Sequence, residues 1–170
     1  HDCHFVIYYS FDTYSQGHNT AQTMASRLEN AKVFIKDLTG HTFSNNNLLI
    51  EALDTTGQRA RESNRRLALL GDKLMAHIVS DVWYAGNAPL VRVQTLLERV
   101  CGNDNLATVG FTIGLDPHVV VNQGQRGTVS RKTMATTVEA VIGAIYLDSG
   151  KDIETVKDAM VCIGLDPSGV

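Results

Sequence analysis

The sequence has no excess of positive charge, little cysteine and no long apolar run, and each shortage excludes a class of protein. Fifteen Lys and Arg against 18 Asp and Glu leave a formal net charge of -3 over 170 residues, so there is no global electrostatic footprint for nucleic acid. Any such contact must come from a local basic cluster. The three cysteines, Cys3, Cys101 and Cys162, are far apart and form no CxxC pair, so neither a zinc site nor a disulfide framework is indicated and free thiols are expected. No stretch of about 18 apolar residues exists, so no membrane partner is expected. The opening His1-Asp2-Cys3-His4 does not read as a signal peptide; localisation stays open, with an intracellular setting favoured. What is present, 44% hydrophobic and 19% charged residues, suits one globular domain.

Periodicity assigns that domain to the all-α class. Residues 1–20 form an aromatic-rich N-terminal arm of unknown role, 21–163 a helical body and 164–170 a C-terminal tail. Ala21, Met24, Leu28, Ala31, Val33, Phe34 and Ile35 recur at roughly helical spacing and stop near Gly40. Ser44 to Asn47 supply capping side chains for a short helix over 48–53, and 54–63 reads as a polar loop. Asn64 is the expected cap of the longest helix, 65–84, in which Leu67, Leu70, Leu74, Ile78 and Val82 fall close to one stripe. Helices follow at about 90–100, 103–113, 131–148 and 152–160.

Two segments carry the chemistry. Asn64-Arg65-Arg66-Leu67-Ala68-Leu69-Leu70-Gly71-Asp72 and the run from Lys132 to Gly150 are apolar helices with glycines that admit a close neighbour, and a carboxylate stands within each. A carboxylate in such surroundings is paired, capping or holding a cation. From the residues alone, Asp72 reads as a cap or an ion pair with Arg66 or Lys73, and Glu139 as a partly buried hydrogen-bonded acid.

The two segments resemble the signature stretches of the ribonuclease III family, N-E-R-L-E-F-L-G-D and L-A-D-x-x-E-A-L-I-G-A-x-Y-L-D-S-G. Phe43-Ser44 and Leu48 to Leu53 are similar to the family's Y-T-F…LL…AL opening, so the likeness covers about residues 25–160. The resemblance implies an all-helical ribonuclease III-like endonuclease domain, acting as a homodimer on double-stranded RNA. It also implies acidic residues that bind Mg²⁺ or Mn²⁺, by which water is activated to attack phosphorus. Two ions about 3.5–4 Å apart need several carboxylates to offset their repulsion.

Carried over position by position, Asp72 matches the aspartate of the first motif and Glu139 the glutamate of the second, as catalytic and metal-binding residues. Positions 68 and 72 are i,i+4 and positions 136 and 139 are i,i+3, so each pair shares a helix face. Ala68 and Thr136, however, stand where the family has further acids, and Arg65 replaces a leading glutamate. Alanine offers no ligand and threonine a poor one, so weak, Mn²⁺-assisted or absent cleavage is expected. Glu62 lies out of register with the motif.

Arg65, Arg66 and Lys132 are the candidate RNA-binding residues, within clusters that also contain Arg59, Arg61, Arg126 and Arg131. Leu69 takes the place of a family phenylalanine that inserts into the partner subunit. His77 and His118 read as structural or surface residues, and nothing after residue 160 resembles a double-stranded RNA-binding domain. The alternative is a non-catalytic RNA-binding or assembly module, as in degenerate ribosomal relatives, against which the low basic content argues.

Overall fold

The computed structural model describes residues 24–58, 61–122 and 128–168. The N-terminal arm expected over 1–20, together with Arg59 and Arg126, lies outside the described residues. Seven α-helices are described: α1 Met24–Thr39, α2 Asn46–Leu53, α3 Arg65–Ala85, α4 Val91–Cys101, α5 Asn103–Thr112, α6 Arg131–Asp148 and α7 Ile153–Cys162.

Helix α6 is central among the described helices because most of its residues between 134 and 145 are buried. Met134, Ala135, Val138, Ala140, Ile142, Ala144 and Ile145 are all buried. Helices α3 and α5 pack most extensively on it, with α2 and α7 completing the surround. Side chains cap the starts of three helices: Asn45 accepts from Asn47 N, within the segment read as capping, Ser130 Oγ accepts from Thr133 N, and Asp152 accepts from Glu154 N and Thr155 N.

Four features differ from the sequence reading. Within the stretch read as a loop, Arg61–Asn64 forms a short strand, β1, and Asp54 pairs with Val120 in an isolated parallel bridge. Asn64 does not cap α3. Its side chain is buried and donates to Ala52 O at 3.1 Å and Thr137 Oγ1 at 3.3 Å, because the last turn of α2 presents carbonyls that need donors. Cys162 is disulfide-bonded, against the expectation of free thiols, whereas Cys101 is a free thiol as expected. Sequence separation says little about which cysteines a fold brings together. Within the segment read as a tail, Gly164 turns the chain at φ +91 and Leu165 is 1% exposed, part of the core.

The end of α6 is tied to the start of α2 by one carboxylate. Asp148, whose side chain is 1% exposed, accepts from Ser44 N (2.9 Å), Ser44 Oγ (3.1 Å) and Asn45 N (2.7 Å), and pairs with His41 Nε2 at 2.9 Å. Burial alone would raise its pKa, but these hydrogen bonds outweigh it and hold the carboxyl below its ordinary value. A depressed folded pKa means the stabilisation is complete above the unfolded value and is lost as pH falls through the folded one. Asp148→Asn is therefore expected to cost about 2 kcal/mol at pH 7 and much less at pH 3, measured by urea denaturation at both.

Candidate active site

The site is built where α3 crosses α6. A Cβ on Gly71 would overlap the Glu139 carbonyl oxygen and lie 2.8 Å from its carbonyl carbon; one on Gly143 would overlap the Leu67 carbonyl oxygen and lie 3.2 Å from Gly71 N. Only glycine at both positions lets the backbones approach this closely. Asp72 follows Gly71 directly, and Glu139 is the residue whose carbonyl Gly71 faces, so both acids stand at the crossing.

Their electrostatics agree. Burial, and then the charge of Asp72, push the Glu139 carboxyl up from 4.5 to about 7, while Lys73 works in the opposite direction. Asp72 pairs with Lys73, Nζ to Oδ2 at 2.8 Å, which is one of the partners anticipated for it, and this contact raises the pKa of Lys73. Because the folded pKa of Glu139 is raised, its stabilisation is present below about pH 4.5 and lost as pH rises through about 7. Glu139→Gln is expected to remove that loss and to melt higher than the parent at pH 8, by thermal denaturation; a functional acid commonly carries this cost.

The other positions fall as follows. Ala68 is 4% exposed and belongs to the core, and Thr136 is half-buried. Arg65, Arg66 and Lys132 are exposed. The bond from Asn64 to Thr137 brings the start of α3 beside α6, about a turn and a half from Lys132. Arg131 is engaged instead with α5, donating to Asp104 O (2.8 Å) and Thr108 Oγ1 (3.0 Å). His118 stacks on Phe34 at 4.4 Å, and burial holds its pKa down against the pull of Asp116, which fits a structural residue. Sequence reasoning missed Cys101. The last residue of α4, it sits within the field of both acids; burial, then Asp72 and Glu139, raise its pKa to about 11, so it remains a thiol. Nothing in its local sequence signals this, since α4 carries no part of either motif.

Among the described residues, no group of three or more His, Cys, Asp or Glu is arranged to hold a metal ion. No described helix is long and apolar enough to cross a membrane. An apolar cleft of about 190 Å³, lined by residues including Leu28, Ala31, Ile50, Leu53 and His118, contains neither Asp72 nor Glu139.

The family model of the Ribonuclease III domain matches residues 65–150, from the start of α3 to just past the end of α6. The chain belongs to the ribonuclease III family. It is 30% identical over 125 residues to Ribonuclease 3 of Francisella philomiragia, covering 72% of this chain and 53% of that protein. It is also 30% identical over 128 residues to Ribonuclease 3 of Francisella tularensis subsp. novicida, covering 74% and 54%. The match thus spans about half the length of these curated ribonuclease III relatives. Two structures of the nuclease domain of ribonuclease III from Campylobacter jejuni share the fold. They have TM-scores of 0.67 and 0.65 at 21% and 22% identity, cover 76% and 77% of this chain, and are themselves covered to 94% and 92%. The first of them is described as flexible in a region involved in dimer formation.

Proposed function

We propose that this chain acts on double-stranded RNA as a ribonuclease III domain whose metal site is depleted and whose phosphodiester cleavage is weak. The observation that carries this reading is the placement of Asp72 and Glu139 together at the glycine crossing of the two signature helices, close enough for one to raise the pKa of the other. Divalent ions, where such a site holds them, activate water and offset the charge that develops on phosphate. The residues here do not fit a site for two such ions. Position 68 is a buried alanine, position 136 a neutral threonine, and two carboxylates cannot balance two dications.

The chain's own residues support duplex binding in a plainer way. Arg65, Arg66 and Lys132 are exposed cations on the α3 and α6 starts that flank the acids, suited to phosphates of any sequence. A homodimer is favoured by Leu69, which is 64% exposed on α3 in spite of its apolar side chain. Light scattering is expected to give a dimer for the parent and a monomer for Leu69→Asp.

The test is a gel shift with duplex and single-stranded RNA of one sequence, alongside incubation of long duplex with Mn²⁺. Preference for duplex, weakened at least tenfold by Arg65→Ala/Arg66→Ala/Lys132→Ala together, with slow cleavage, is expected. Absence of duplex binding contradicts the proposal, and binding with no cleavage replaces it with the non-catalytic module.

A further inference from the structure

The cation closest to the acidic pair is one the chain itself supplies. Lys73 Nζ lies 2.8 Å from Asp72 Oδ2. Neighbouring residues on a helix do not ordinarily face one another, and the Lys73 side chain is 73% exposed, so no packing holds it there. Its four-carbon stem folds back because the uncompensated acids attract it. With Ala68 and Thr136 in place of carboxylates, the acids left at the site are Asp72 and Glu139, and the Lys73 ammonium offsets the charge of Asp72.

We propose that Lys73 is a built-in counter-ion: its ammonium is paired with Asp72 and lowers the affinity of the site for Mg²⁺ or Mn²⁺. A dication approaching Asp72 must displace a charge-assisted hydrogen bond and then remain within a few ångströms of a tethered positive charge. The aqueous setting of Lys73 limits the effect to about tenfold in metal affinity. This inference rests on Asp72 and Glu139 being the metal positions, and it is independent of what RNA the chain binds.

The experiment is calorimetric titration of Mn²⁺ into the full chain, without RNA, for the parent, Lys73→Ser, Lys73→Arg and the double variant Asp72→Asn/Lys73→Ser. Thermal melts of all four show that each is folded, as an exposed position permits. Lys73→Ser is expected to bind Mn²⁺ about tenfold tighter than the parent, Lys73→Arg to match the parent, and the double variant to lose the gain. Equal affinity, or no detectable binding, for parent and Lys73→Ser overturns the proposal, as does a gain that survives in the double variant. A failed gel shift with an intact Mn²⁺ gain would remove the duplex RNA function and leave the counter-ion standing.

Discussion

Gly71→Ala is expected to cost roughly 3 kcal/mol and to lower the melting temperature by about 6–12 °C. The added carbon would meet backbone, namely the Glu139 carbonyl and the amide of Gly143 at 3.0 Å, and backbone in the middle of two packed helices cannot step aside as a side chain can. The helices would have to separate along their whole contact, and α3 against α6 is the most extensive pair among the described helices. Gly40→Ala is the matched control: φ there is +75 with nothing within 4 Å, so the cost is conformational and about 1 kcal/mol. Calorimetric melts of both variants give the comparison, and a Gly71 variant no worse than the Gly40 variant would mean that the helices do not cross as described.

The second large effect comes from restoring acids. Ala68→Glu places a carboxylate at a position 4% exposed, so in EDTA it is expected to lower stability, because a buried charge without a partner is costly. Together with Thr136→Asp it rebuilds the family's acidic set, and Mn²⁺ should then return the lost stability, since a ligand that binds only the folded chain adds about 2.7 kcal/mol at 100 times its Kd. Duplex cleavage is expected to rise on the order of 100-fold, about tenfold for each restored ligand. The readouts are the melting temperature with and without Mn²⁺, and the cleavage rate. A double variant equally unstable in EDTA and Mn²⁺ would show that position 68 does not face the acids.

Much of this was legible in the sequence, and what was legible was local. The apolar stretch from Met134 to Ile145, the capping side chain at Asn45 and the glycines that admit a neighbouring helix all follow from spacing and side-chain chemistry, whereas the caps at Ser130 and Asp152 were not read from the sequence. The two signature segments named the acids and their missing companions, and the anticipated ion pair of Asp72 with Lys73 is present. What was not legible depends on contacts between distant residues. Asn64 looked like a cap because it precedes a helix, yet its amide is drawn to Ala52 and Thr137 by donors and acceptors that only the folded packing brings near. The same holds for Asp148 with His41, 107 residues apart, and for Cys101, whose thiol enters the field of the acids only because α4 packs on α3.

The central claim, a ribonuclease III site reduced to Asp72 and Glu139, is tested most directly by single-turnover cleavage of long duplex RNA in Mn²⁺. The proteins to compare are the parent, Asp72→Asn, Glu139→Gln and the Ala68→Glu/Thr136→Asp variant. Slow cleavage by the parent, background levels for both neutralised variants and a roughly 100-fold gain in the restored one is the predicted result. Cleavage that is unchanged by Asp72→Asn and Glu139→Gln, or a restored variant no faster than the parent, would contradict it.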